Sequence, residues 1–168
     1  IQRFRDRHPD VAVDIQMGSV QEVYRWVRED KVDMCFASHQ EGGNFDWIHL
    51  RNDPLLAILP PGYDLRGCSS LPVSRLEGLD FLMPSLGFHL DIMRTLGDVK
   101  PNIQQTHVND SVIISMVEHG LGVSILSELV LRGRRDNVVA VPLDPPAVRE
   151  LGIAVRSKKE LRPIARRF

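Results

Sequence analysis

The residues best placed to do chemistry stand at four points where an apolar run gives way to small or polar residues: Gly18-Ser19, Ser38-His39, Ser85-Leu86-Gly87 and Asn109-Asp110. At such points a strand ends and the first turn of a helix leaves its backbone N–H groups unpaired. Those groups, aligned with the helix dipole, favour an anion. A carboxylate, phosphate or sulfate would suit the first and third points. Asp110 disfavours an anion at the fourth, so a hydroxyl or an amine suits that place better. Each residue also has a purely structural reading. Ser19, Ser85 and Asp110 have the residue types of helix caps. His39 reads as a surface loop residue, and Phe88 and Val123 read as core unless they line a pocket wall.

Patterns for other chemistry are not found. The histidines His8, His39, His49, His89, His107 and His119 lack an HExxH or other paired ligand spacing, so no metal is expected. There is no GxSxG and no P-loop. Gly120-Leu121-Gly122 lacks the third glycine of a dinucleotide fingerprint and stands at a helix end, the wrong side for a pyrophosphate. Cys68 has no evident base, and Cys35 lies in the apolar run Met34-Cys35-Phe36-Ala37, where a thiol behaves as a small hydrophobe. No catalytic residue and no cofactor is assigned.

Lys and Arg number 21 against 22 Asp and Glu in 168 residues, a net charge of −1. A domain that held nucleic acid by itself would need a basic surplus, because phosphate neutralisation dominates that affinity. The stretch Arg132, Arg134, Arg135 and the tail Arg162, Arg166, Arg167 read as solvated surface. Two cysteines fit a reducing compartment better than a disulfide. No run of about 18 apolar residues indicates a transmembrane helix.

The elements that must position the four points follow from hydrophobic period. Ile1 to Arg7 reads as a helix end, stopped at His8-Pro9. Val11, Val13, Ile15 and Met17 alternate with more polar residues, a strand period. Ser19 with Glu22 makes a capping box. Val20, Val23, Tyr24 and Val27 then form one helical stripe, with Trp26 off it. Val32 to Ser38 predicts a strand covered on both faces. Trp47–Leu50 and Leu55–Leu59 read as two further strands. Leu71 to Leu79 is a short helix or loop. Strands follow at Phe81–Met83, Ile103–Val108, Val123–Leu126, Val138–Leu143 and Leu151–Val155. Helices fall at Phe88–Leu96, Val112–His119 and Glu128–Leu131, and a last helix begins in Leu161–Phe168.

This alternation predicts an α/β protein. Pro60-Pro61-Gly62 and Pro142 to Pro146 punctuate it. They suggest two lobes, one built from residues 1–60 and 144–168, the other from 61–143, joined by two crossover strands with a cleft between.

Four segments in order resemble the effector-binding domain of LysR-type transcriptional regulators: Phe4-Arg5 through Pro9-Asp10-Val11; Gly18-Ser19 followed by Asp33-Met34-Cys35-Phe36-Ala37; Asp53-Pro54-Leu55-Leu56 through Leu59-Pro60; and Val117-Glu118-His119-Gly120-Leu121-Gly122-Val123-Ser124-Ile125-Leu126. The last is the most specific, and together they cover almost the whole chain. The family's proline after that strand is Ser127 here. The family's opening strand and its Ser/Thr-bearing loop have no counterpart ahead of Ile1, so the chain reads as N-terminally truncated.

The resemblance implies two Rossmann-like lobes in a type 2 periplasmic-binding-protein fold. A small effector would be held in the inter-lobe cleft by Gly18, Ser19, Ser38, His39, Ser85, Leu86, Gly87, Asn109, Asp110 and Val123. It further implies a cytoplasmic protein that binds DNA only through a helix-turn-helix domain absent from this chain. A homodimer or tetramer is implied too, with Phe4, Val11–Met17 and Val112–His119 as candidate contacts. A solute-binding transport component of the same fold is the alternative, and a small enzyme on that fold is a third.

Overall fold

In a computed structural model of the chain, the residues described are 1–40, 42–84, 89–133 and 137–168. They form helices α1 (Gln2–Arg7), α2 (Val20–Arg28), α3 (His89–Leu96), α4 (Asp110–Glu118) and α5 (Glu128–Leu131). The strands are β1 (Cys35–Ser38), β2 (Asp46–Leu59), β3 (Leu71–Pro72), β4 (Asp80–Met83), β5 (Asn102–Gln105), β6 (Ser124–Ser127) and β7 (Val139–Val155). The chain divides into two compact units, residues 1–51 with 151–168 and residues 52–150.

In the first unit, β1 pairs antiparallel with the end of β7, Cys35 opposite Ala154 and Ser38 opposite Leu151. Helix α2 lays its stripe on this pair, and Tyr24, Val27, Cys35 and Ala154 make a small buried core. Trp26, off the stripe, packs on Gly18, where an added Cβ would lie 2.7 Å from the indole ring. Ring contacts hold the termini together: Phe4 lies 5.1 Å from Phe168, and Phe36 lies 6.1 Å from Phe168, centroid to centroid.

The second unit is larger. Here β2 pairs antiparallel with β6 (Leu55 opposite Ser127), β3 pairs parallel with β7 (Leu71 opposite Leu143) and β4 pairs parallel with β5. Successive strand residues point to opposite faces, and the core divides accordingly. Leu55, Ala57, Leu59, Phe81, Met83 and Ile125 enter one cluster with Ile92 and Leu96 of α3. Ile58, Leu82 and Leu126 enter the other with Ile113, Ile114 and Val117 of α4. A sheet covered on both faces is why these segments are nearly continuous apolar runs. Each fully buried Leu, Ile or Phe contributes about 1.5–3 kcal/mol of transfer free energy.

Four expectations need correction. Val11–Met17 has the strand period but forms no strand; Ile15 and Met17 are 65% and 86% exposed. A strand exists only with a neighbour to take its N–H and C=O groups, and none pairs with this segment among the described residues. β1 is not covered on both faces, since Phe36 is more than half exposed. The pairs of strands expected on either side of Arg51–Pro54 and of Asp144–Glu150 are two long strands, β2 and β7, running through Pro54 and through Pro142, Pro145 and Pro146. The two compact units divide at 51/52 and 150/151. Lastly, the Leu161–Phe168 segment holds only a 3-10 turn, Ala165–Arg167.

Candidate functional site

Local chemistry decides how each strand-end residue is used. At the start of α2, the Ser19 hydroxyl accepts from Glu22 N at 3.3 Å, while Ser19 N and its hydroxyl both donate to the Glu22 carboxylate at 2.8 Å. The predicted capping box is therefore complete, and it brings a carboxylate of the chain itself onto the helix N-terminus. These bonds hold the Glu22 carboxyl below its ordinary value of 4.5, with the Ser19 backbone N–H as the largest cause. Gly18 precedes it under the Trp26 ring.

β1 ends at Ser38 and His39. The Ser38 carbonyl accepts from the Tyr24 hydroxyl at 3.0 Å, which ties α2 to the strand end. The Ser38 side chain is 3% exposed and its Oγ has no hydrogen-bond partner. A buried hydroxyl in that state costs free energy. The His39 ring sits 4.9 Å from Trp47, and Tyr24 meets Phe45 edge-on at 5.1 Å. Together with Gln40, Gly42 and Gly43, these four rings line a cavity of about 260 Å³. Sequence reasoning assigned His39 but missed Tyr24, Phe45 and Trp47. Tyr24 was absorbed into the apolar stripe and Trp47 into a predicted strand, and Phe45 stands between two predicted strands.

In the second unit, Asn109 Oδ1 accepts from Val112 N at 3.1 Å and caps α4, which begins at Asp110. Val123 is 5% exposed and lies in the core, its N–H donating to Asp80 O and its carbonyl accepting from Leu82 N, both at 2.8 Å. Ser85, Leu86 and Gly87 lie outside the described residues. Helix α4, apolar on several faces, uses Ile113, Ile114 and Val117 in this unit's core and leaves Val112 41% exposed.

A buried cluster that sequence reading did not find lies in the same unit. Asp53, fully buried, accepts from Arg149 Nε at 3.0 Å and Nη2 at 2.9 Å on one oxygen, and from Leu129 N at 3.1 Å on the other. The same Arg149 Nη2 donates to Ser127 Oγ at 3.0 Å. A carboxylate from β2 thus does for α5 what its own N-cap serine does not.

The burial of the Cys35 thiol pushes it up to about 11, so it is a poor nucleophile. No helix among the described residues is long and apolar enough to cross a membrane.

Comparison with known proteins agrees with the geometry. The chain is 28% identical over 174 residues to the HTH-type transcriptional regulator YvbU of Bacillus subtilis, covering 100% of this chain and 59% of that protein. It is 23% identical over 172 residues to the Hca operon transcriptional activator HcaR of Escherichia coli, covering 98% of this chain and 58% of that protein. The chain thus spans under two thirds of the length of these relatives. Among solved structures, the regulatory domain of Synechocystis CcmR in complex with 2-PG matches with a TM-score of 0.86 at 20% identity, over 99% of this chain and 84% of that one. The effector-binding domain of QuiR in complex with shikimate matches with a TM-score of 0.82 at 17% identity, over 98% and 82%. The fold is that of the type 2 periplasmic-binding-protein-like domains. The model of the LysR substrate binding domain matches residues 1–168, and the chain belongs to that family.

Proposed function

We propose that this chain is the ligand-sensing part of a transcriptional regulator, and that it binds a small anionic metabolite. The observation that carries the reading is the family match over residues 1–168. Two similar structures are complexes with small molecules, 2-PG and shikimate, which supports ligand binding as the role of this fold here. In the first unit we assign the effector's contacts to Ser38 and His39 at the end of β1 and to Gly18 and Ser19 ahead of α2. In the second we assign them to Ser85, Leu86 and Gly87 and to the cap residues Asn109 and Asp110. Val123 serves these places through the core that supports them.

The effector acts by binding one arrangement of the protein more tightly than another, and the shift is no larger than that difference in affinity. A helix-turn-helix domain elsewhere in the same protein reads the shift out on DNA, since this chain carries a net charge of −1 and no basic surplus. The reading includes a cytoplasmic homodimer or tetramer with no catalytic step. Thermal-shift screening of small carboxylates against the intact regulator, followed by operator binding with each stabilising compound, tests it. Stabilising ligands that change operator affinity are expected; a screen with no such compound contradicts the reading.

A further inference from the structure

We infer that the cavity at the end of β1 selects a flat, ring-bearing carboxylate. The inference rests on the sensing reading for its biological role and adds the class of ligand.

Four aromatic rings, Tyr24, His39, Phe45 and Trp47, belong to one wall system within the first unit. They are held in two pairs, Tyr24 with Phe45 at 66° between planes and His39 with Trp47 at 44°. Rings so placed present both faces and edges to a flat guest, and offset or edge contacts with a third ring are the favoured arrangement. Gly43 is fitted to this wall: a Cβ there would stand 2.5 Å from the Phe45 ring. At about 260 Å³ the cavity takes one or two fused rings.

Charge at the mouth sets the other half of the specificity. The cavity continues along α2 into a groove that includes Arg25 and Arg28. The Arg28 guanidinium lies over Phe45, 5.7 Å from the ring centroid. Among the described residues no carboxylate stands within ion-pair distance of either arginine: Glu22 is turned back on Ser19, and Glu29 pairs with Lys31 at 2.7 Å. Two exposed guanidiniums that no described carboxylate engages in a salt bridge, though Glu22 also lines the groove, offer bidentate recognition to a carboxylate beside the aromatic cavity.

A third observation points to an occupant. Two polar atoms, Ser38 Oγ and Trp47 Nε1, are buried without a hydrogen-bond partner. Trp47 lines the cavity, and Ser38 adjoins it through His39 and the Tyr24 bond. Such atoms are rare in finished interiors; one of the two belongs to a residue of the cavity wall and the other to the residue before His39, and a polar guest would satisfy the first.

The test is a titration of 2-naphthoate into the isotope-labelled intact regulator, following the indole N–H signals of Trp26 and Trp47, assigned with Trp26→Phe and Trp47→Phe. The signal of Trp47 is expected to move while that of Trp26 stays. Butyrate, which has the charge without the ring, and 2-naphthol, which has the ring without the charge, are expected to bind about tenfold more weakly or worse. Replacing the two exposed arginines, Arg25→Gln with Arg28→Gln, is expected to erase the preference for naphthoate over naphthol and leave the fold intact. A stationary Trp47 signal, equal binding of butyrate, or an undiminished preference in the arginine variant would overturn the inference. Carboxylates that alter operator binding without moving Trp47 would overturn it too, yet leave the sensing reading standing. Movement of Trp47, with no carboxylate altering operator binding, would support the cavity assignment and count against sensing.

Discussion

Asp53 and Arg149 form an ion pair at 2.9 Å with the carboxylate wholly buried and the guanidinium 11% exposed. They stand 96 residues apart in sequence, one on β2 and the other on β7, each within two residues of the unit divisions at 51/52 and 150/151. The pair fixes both strands, and through Leu129 N the start of α5, at a single point of the second unit.

Removing one partner of such a pair strands a charge in the interior. Asp53→Ala and Arg149→Ala are each expected to lower stability by about 3–5 kcal/mol. The double change Asp53→Leu with Arg149→Met is expected to cost clearly less than the sum of the two. Urea unfolding of the three variants at neutral pH measures this, and additive losses would show that the two residues do not act as a pair.

The Glu22 carboxyl is held below 4.5 by its bonds to Ser19. Its value is lower folded than unfolded, so its contribution to stability is complete above about pH 4.5 and is lost as pH falls through the folded value. Ser19→Ala is expected to destabilise by about 1 kcal/mol at neutral pH. It is also expected to flatten the acid-side loss of stability, because the cause of the lowered value is gone. Unfolding midpoints followed downward from neutral pH report both effects.

The two cysteines differ in chemistry. Cys35 is buried with its thiol pushed up to about 11, whereas Cys68 is exposed. Iodoacetamide at mildly alkaline pH is therefore expected to label Cys68 alone in the folded chain, and both cysteines after denaturation. Peptide mass spectrometry of the alkylated protein distinguishes these results.

Gly152 lies opposite Ala37 in the β1–β7 pair. A Cβ at this position would stand 2.4 Å from both Ile48 O and the Trp47 ring. Gly152→Ala must move backbone or indole, and is expected to cost about 1–3 kcal/mol as overpacking. The same change should shift the Trp47 fluorescence maximum; an unchanged spectrum with unchanged stability would contradict the close approach.

Much of the scaffold was legible in the sequence, for stated physical reasons. The Ser19–Glu22 box and the left-handed Gly120 after α4 follow from signals within four residues of each other; the cap of α4 was placed within one residue, since Asn109 caps the helix and Asp110, read as a cap, is its first residue. The alternation that sends Leu55, Ala57 and Leu59 to one cluster and Ile58 to the other is equally local. What was not legible depends on distant partners. Val11–Met17 has a strand's period but no neighbour. Asp53 stood out only as part of the Asp53-Pro54-Leu55-Leu56 segment, and its burial depends on Arg149, far along the chain. Pro60-Pro61 do end β2, but the prolines from Pro142 to Pro146 read as a break and β7 runs through them, because proline is tolerated in a strand wherever its missing N–H is not needed. At the site, His39 was visible as a strand-end residue, whereas the rings around it converge only in three dimensions.

The most direct test of the central claim is the operator affinity of the intact regulator, measured with and without a carboxylate that stabilises it, in the unaltered protein and in the His39→Ala and Asn109→Ala variants. The account predicts that the ligand changes operator affinity in the unaltered protein and that each variant weakens the response while leaving ligand-free DNA binding as it was. Operator affinity indifferent to every stabilising ligand would contradict it.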